Sequence, residues 1–467
     1  MDQQKRIINK NKLMNRVLER HGKMGSDACE IMIQALQAVD PYVCINDQIV
    51  HKNEEFVIGD HTVSLLRFER IFLMGFGKAA VPMAKAMIDK LGQKINQANV
   101  ITKDPQFLAD DGYQEKLNVY LGGHPVPTEE SIRSTRAILS SLPVLKESDL
   151  VMVLVSGGGS ALFTDPVPGV TLEDLQSLTQ SLLHCGATIN EINTIRKHLD
   201  QVKGGRLAMK LQPAHVEIFI LSDVVGDHLD TIASGPTVPD PSTYNDALKI
   251  IDRYGIQAKI APGIRTYLES GSKGDRPETL KVGQLSQDKV INHLVGTNFL
   301  AAQAAYQHAE SLGNHSLIVS TALTGLTDHI ADFIEGILQT ALQYGHPVSK
   351  PACIIFGGEP TVNVTGSGLG GRNMDLALRM VPKLANTQGV LFVSLATDGE
   401  DGPTDAAGAV ADGWVFQEGV DQFGLDFESY LVNSDSYHYH EKVGGLIKTG
   451  ATGTNVNDLV FVFIDRQ

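Results

Sequence analysis

Three apolar runs, each leading into a glycine-bearing turn, constrain this chain more than any other feature. Arg70–Phe76 runs into Gly77, Leu150–Ser156 into Gly157-Gly158-Gly159, and Val216–Ser222 into a loop carrying Gly226. A continuous apolar run bounded by turn residues is the pattern of a strand buried on both faces, as in a parallel sheet. Helices between such strands complete right-handed βαβ units. An apolar-periodic segment from about 79 to 91 supplies the first. The first half is therefore expected to be a Rossmann-like, doubly wound α/β domain.

A polar stretch starting at Gly271 predicts a boundary, giving domains 1–272 and 273–467. Beyond it, strands are expected at 290–296, 315–320, 352–357, 361–364, 390–396 and 458–464, with helices near 298–312, 327–344 and 373–385. The segment 361–364 follows Phe356 too closely for a helical crossover. A hairpin and a mixed sheet are expected there.

Charge and composition exclude several function classes. With 39 Lys+Arg against 54 Asp+Glu, the net charge is −15, which argues against a nucleic-acid partner. Aromatic residues are 6% and there is one Trp, so a base-stacking platform is not expected. Cys29, Cys44, Cys185 and Cys353 form no CxxC pair, which suits a reducing, cytoplasmic setting. No apolar run is long enough to span a membrane. The first 23 residues carry seven Lys/Arg and two acids without an apolar core, and read as a solvated first helix.

Glycine-rich turns at the carboxyl ends of parallel strands are where ligands bind in such sheets. In Gly75-Phe76-Gly77-Lys78, the lysine opens a helix whose dipole favours anions; a tight turn with a solvated lysine is the plainer alternative. Walker A spacing is absent. Ser156-Gly157-Gly158-Gly159-Ser160 exposes successive N–H groups, a nest for phosphate or carboxylate. Ser156 or Ser160 as a hydrolase nucleophile competes, but no GxSxG elbow surrounds either. Arg196, Lys197, Lys203 and Arg206 concentrate positive charge and read as a solvated helix face. Asp223 and Asp398 follow apolar strands, where carboxylates can hold Mg²⁺ or orient a hydroxyl. Asp401 lies in the same acidic loop as Asp398.

Gly366-Ser-Gly368-Leu-Gly370-Gly371 fits GxGxxG, yet the next strand-end acid, Asp398, is 27 residues past Gly371, where a dinucleotide site wants about 20. The loop reads better as a phosphate or substrate cradle ahead of Arg372. Histidines number 15 and form no ligand motif; His438-Tyr-His440 would suit metal only on a strand. In all, 24 of the 45 glycines lie in the loops 75–77, 122–123, 157–159, 204–205, 226–235, 357–358, 366–371, 399–408 and 444–453, which reads as backbone opened to phosphates.

The ordered blocks GFGKAA (75–80), GGHPVP (122–127), VSGGGSAL (155–162), INTIRKHLDQVKGGRLA (192–208), LSDVVGD (221–227), IASGPT (232–237), GTN (296–298), GGEPTV (357–362), GGRNMDLAL (370–378), TDGEDGPTDAAGA (397–409) and TGATGTNVNDL (449–459) resemble the glycerate 2-kinase family with a C-terminal MOFRL domain. The resemblance implies ATP-dependent phosphorylation of D-glycerate at the C2 hydroxyl, giving 2-phosphoglycerate and ADP. It implies two α/β domains with the active site in a cleft between them. It places the catalytic lysine at Lys78, the catalytic arginine at Arg372 and the strand-end aspartates at Asp223 and Asp398. On that reading, Lys78 and Arg372 face the γ-phosphate or the glycerate carboxylate. Asp223 accepts the hydroxyl proton or holds Mg²⁺, and Asp398 and Asp401 are further metal candidates. Ser156, Gly157, Gly158, Gly159, Ser160, Asn298, Gly370, Gly371 and Asp398 would contact substrate or nucleotide. The expected partners are a nucleotide and a small hydroxy acid, with a homodimer left open. An NAD(P)H-dependent hydroxypyruvate reductase is the competing expectation, weakened by the missing ribose-binding acid.

Overall fold

The computed structural model describes residues 10–52, 54–108, 112–113, 115–286 and 288–466. Two compact units emerge. One comprises 41–222 and 227–295; the other comprises the described residues up to Asp40, 223–226 and 296 onward.

In the 41–295 unit, β1 (Ile49–Lys52), β2 (Glu55–Ile58) and β3 (His61–Ser64) form a small antiparallel sheet. The main sheet comprises β4 (Arg70–Phe76), β5 (Ile95–Thr102), β6 (Asn118–Leu121), β7 (Asp149–Val155), β8 (His215–Leu221) and β9 (Val290–Gly296). Their spatial order is β6-β5-β4-β7-β8-β9, and the pairs β4–β5, β4–β7, β5–β6 and β7–β8 are parallel. This is the doubly wound order, which reverses between β4 and β7. Every residue of β7 and β8 is buried, as the unbroken apolar runs require. The helix expected after β4 spans Ala80–Leu91. The helices Leu172–His184, Ile189–His198, Tyr244–Arg253 and Pro262–Ser272 enclose a separate apolar cluster around Ile195, Leu199, Ile251 and Ile264.

The other unit has β10 (His315–Leu326), β11 (Ala352–Thr361), β12 (Val390–Ala396), β13 (Gly408–Asp412), β14 (Leu446–Ile447) and β15 (Asp458–Ile464), in the order β10-β11-β15-β12-β13-β14. The sheet is mixed, as expected, but for another reason. Residues 361–364 form no separate strand: β11 runs unbroken to Thr361. Among the described residues only β10 and β11 pair in parallel; β15 inserts between β11 and β12 and pairs antiparallel with both, and β12–β13 and β13–β14 are antiparallel as well. Helices Asn298–Ser311, Thr327–Tyr344 and Arg372–Leu384 stand where periodicity placed them.

The division departs from the boundary expected at 272/273. The strand β9 joins β8 and so completes the first sheet. The helix Lys23–Ala38 buries Ala28, Ile31, Met32 and Ala35 and packs against the Asn298–Ser311 helix, whose Ala301, Ala302, Ala305 and Ala309 are fully buried. The basic N-terminal segment is docked, not solvated. Arg20 makes a bidentate pair with buried Asp412 at 2.6 and 2.7 Å and also reaches Glu418. The first nine residues of that segment lie outside the described residues.

Candidate active site

At the reversal point between β4 and β7, the two glycine turns are locked together. Lys78 N–H donates to the Gly157 carbonyl at 2.9 Å, and Ala79 N–H to Ser156 Oγ at 3.0 Å. Gly77 has φ +128°, and a Cβ there would sit 2.2 Å from Ser156 Oγ. Ser156 is thus a fully buried brace between the turns, its Oγ engaged by Ala79 N–H. Ser160 bonds Ser234 Oγ at 2.7 Å, and Ser234 in turn reaches Asn193. Ala233 and Ser234 both have positive φ, 49° and 62°, a strained pair beside the nest.

Lys78 is half-buried, and among the described residues its ammonium has no ion-pair partner. His124, from the GGHPVP block, packs against this turn: a Cβ on Gly158 would lie 2.8 Å from its ring and 3.4 Å from the Lys78 side chain. Burial, with Lys78 and Lys103 nearby, lowers the His124 pKa to about 4. The cluster therefore presents one cation, a neutral imidazole and the Gly157 and Gly158 N–H groups, a setting for an anion, while Gly159 N–H donates to the Ser156 carbonyl at 3.2 Å. No motif of acid–base type pointed to His124; its adjacency to two glycines was the available signal.

The four-residue charge run is not a solvated face. Lys197 and Lys203 are buried; Lys197 pairs with Asp240 at 3.4 Å and Lys203 with Asp200 at 2.9 Å. Arg206 donates to the Asp200 carbonyl at 2.6 Å and to Tyr244 Oη at 2.9 Å. Arg196 reaches Thr179 Oγ1 at 3.3 Å, and burial pulls its guanidinium below its ordinary pKa. These charges hold the loops that end at the nest.

In the second unit, Arg372 opens the Arg372–Leu384 helix and is gripped by acids. Its Nε and Nη2 bond Asp458 at 2.5 and 3.1 Å, and its Nη1 bonds Glu359 at 2.8 Å. Burial works against the guanidinium charge, but the two carboxylates outweigh it and hold its pKa above the ordinary value. Burial pushes Asp458 up to about 7 against the pull of Arg372. Glu359 Oε2 accepts from Asn457 Nδ2 at 3.2 Å, and the same amide donates to the Asp223 carbonyl at 2.9 Å. A chain Arg372–Glu359–Asn457–Asp223 therefore links the arginine and the aspartate expected to act. Glu359, Asn457 and Asp458 were visible only as members of shared blocks.

Three expected contacts have other duties. Asp401 is buried, and its carboxylate accepts from the N–H groups of Asn373 and Met374 at 3.1 and 2.8 Å. It caps the helix that carries Arg372, which occupies both carboxylate oxygens with N–H donors. Burial pushes its pKa up to about 6 against those bonds. Asn298 is buried and spends its Nδ2 on the carbonyls of Val456 and Asp458 at 2.8 and 2.9 Å. It braces β15, and its Oδ1 is buried without a hydrogen-bond partner among the described residues. In the GxGxxG segment, the N–H groups of Ser367, Gly368 and Leu369 bond Asn433 and Asp435. A Cβ on Gly370 would meet Ser436, and one on Gly371 would meet Asp401. These glycines make room for protein, and the N–H groups of residues 367–369 are spent on it.

Asp398 keeps its expected place after β12 and is half-buried; its Oδ1 accepts from Glu400 N–H at 3.1 Å. Its loop is tied to the 449–457 segment through Thr452 N–H to the Asp398 carbonyl at 3.1 Å and Thr397 Oγ1 to the Asn457 carbonyl at 2.6 Å. His438 and His440 lie on the helix Ser436–Val443, where residues two apart diverge. His440 is fully buried against the Met374 carbonyl, so no metal pair exists there. No helix among the described residues is long and apolar enough to cross a membrane.

Comparisons with known proteins agree over most of the chain. Residues 27–269 match a domain of unknown function (DUF4147), and residues 352–458 match the MOFRL family. The D-glycerate 2-kinase of Thermotoga maritima is 43% identical over 89% of this chain and 97% of its own length. The glycerate 2-kinase of Pyrococcus horikoshii is 39% identical over 93% of this chain and 96% of its own. The crystal structure of the Thermotoga maritima glycerate kinase superposes with a TM-score of 0.84 at 40% identity, covering 96% of this chain and all of that one. The chain belongs to the MOFRL-domain glycerate kinase family.

Proposed function

We infer that this protein is a D-glycerate 2-kinase, transferring the γ-phosphoryl group of ATP to the C2 hydroxyl of D-glycerate. The observation that carries this reading is Lys78: a cation without an acidic partner among the described residues, at the sheet's reversal point, in a chain of net charge −15 whose relatives are named as glycerate kinases. Phosphoryl transfer asks a protein mainly for positioning and charge neutralisation. The C2 oxygen forms its bond to the γ-phosphorus as the bond to the β,γ-bridging oxygen breaks. The hydroxyl proton passes to a carboxylate.

Lys78 and the Gly157 and Gly158 N–H groups are assigned to phosphate or to the glycerate carboxylate. Arg372, held by Asp458 and Glu359, keeps N–H groups beyond the three in those bonds, and these are assigned to an anionic oxygen. Asp223 is assigned either the C2 hydroxyl proton or a place on Mg²⁺. Mg²⁺ is commonly held by one or two carboxylates together with phosphate oxygens and water. Asp223 and Asp398, half-buried and at strand ends, suit that donor set; Asp401 does not. When bound there, Mg²⁺ neutralises charge on the β- and γ-phosphates.

The test is purified protein with D-glycerate, ATP and Mg²⁺, and separately hydroxypyruvate with NADH. ADP formation that depends on glycerate, without NADH oxidation, supports the kinase. NADH consumption with no ADP formed overturns it.

A further inference from the structure

Glu217 is a carboxylate in the middle of a fully buried strand, and nothing in the kinase chemistry uses it. It lies on β8 with 0% exposure. Three imidazoles turn their Nε2 atoms onto it. His215 Nε2 is 2.7 Å and His61 Nε2 3.0 Å from Oε1; His293 Nε2 is 2.6 Å from Oε2. The donor atoms of His61, His215 and Glu217 all lie within 4.8 Å of one another. Burial disfavours the carboxylate charge, but the three imidazoles hold the carboxyl at about 2.

The four residues come from three strands of two sheets. His215 and Glu217 alternate on β8 and so share one face with Phe219. His293 comes from β9, the neighbouring strand. His61 comes from β3, whose small sheet packs on that face through Phe56, 5.6 Å from Phe219. Phe219 also stacks on His293 at 5.5 Å, which fixes that ring. His61 is a third exposed, so the cluster has an entry path from solvent.

We propose that His61, His215, Glu217 and His293 form a structural Zn²⁺ site that staples the small β1–β3 sheet to β8 and β9. Three imidazoles and one carboxylate are a donor set zinc favours, and the tetrahedral number is met without cysteine. Ligand atoms about 2.0–2.2 Å from zinc stand roughly 3.3 Å apart. The imidazole–carboxylate spacings of 2.6–3.0 Å open toward that value, the His61, His215 and Glu217 donors, now within 4.8 Å of one another, close toward it, and His293 turns in from the other carboxylate oxygen. The site is distinct from the phosphoryl-transfer loops. Glu217 precedes Ser222, at the other end of β8, by five residues, about 16 Å of strand.

The test is metal uptake, read independently of turnover. Protein stripped with a chelator and dialysed is titrated with Zn²⁺ by calorimetry, with the bound metal counted by mass spectrometry. One Zn²⁺ per chain is expected, with a rise in Tm. His61→Ala, at the exposed rim and so the variant least able to disturb folding, should weaken binding by about tenfold or more. Glu217→Gln should abolish it, and Co²⁺ should give the visible absorption of a four-coordinate site in the wild type alone. No uptake by the folded wild-type protein overturns the proposal. So does equal uptake and equal Tm shift in His61→Ala.

Discussion

Single residues separate acting groups from supporting ones. Among the described residues Lys78 has no acidic partner to lose, so Lys78→Ala should leave Tm nearly unchanged while lowering kcat by roughly two or more orders of magnitude. Near-normal turnover in steady-state kinetics would reject its role. Arg372 differs, because Asp458 is buried in its grip. Arg372→Ala leaves an uncompensated buried carboxylate and should cost about 3 kcal/mol in urea unfolding, besides its effect on turnover. His124 should stay neutral well below pH 6, since its pKa is lowered to about 4; an NMR titration with a midpoint near 6.5 would contradict its burial beside Lys78.

At the scale of elements, the Arg372–Leu384 helix is the piece on which the second unit's site depends. Asp401 caps it from another loop, and Gly371 is small because that carboxyl presses on it: a Cβ would lie 2.4 Å away. Gly371→Ala should therefore destabilise by about 1–3 kcal/mol and disturb Arg372, visible as a lower Tm together with a lower kcat. Asp401 also gives a pH signature. Its pKa is raised to about 6, so the native state binds its proton more tightly than the unfolded chain does, and the burial cost is relieved as pH falls through 6. The stability difference between wild type and Asp401→Asn should therefore shift toward the wild type between pH 7 and pH 5. Denaturant unfolding at the two pH values checks the sign.

Across the whole molecule, what was legible in the sequence was what depends on local pattern. The buried runs at 70–76, 150–156 and 216–222 announced β4, β7 and β8, and the helices at 298, 327 and 372 followed their periodicity. The mixed sheet was expected, but the insertion of β15 between β11 and β12 was hidden, because a strand's neighbours are set by tertiary packing. For the same reason the glycine excess was half misread. Gly77 and Gly158 do bring backbone close to Lys78, whereas Gly366–Gly371 yield to Asn433, Asp435, Ser436 and Asp401. Charges misled similarly: Lys197 and Arg20 looked solvated because their partners, Asp240 and Asp412, are distant in sequence, and Lys203 because burial of its pair with Asp200 is set by tertiary packing. The alternation His215-Val-Glu217 was readable, yet its other two imidazoles are 154 and 76 residues from His215 and Glu217 respectively.

The central claim is phosphorylation of D-glycerate at C2, and the position of the phosphate in the product tests it most directly. Phosphorus NMR of the reaction of purified protein with D-glycerate, ATP and Mg²⁺ should show 2-phosphoglycerate and ADP appearing together, with neither formed by Lys78→Ala. Formation of 3-phosphoglycerate, or ADP released with no phosphorylated glycerate, would contradict the account.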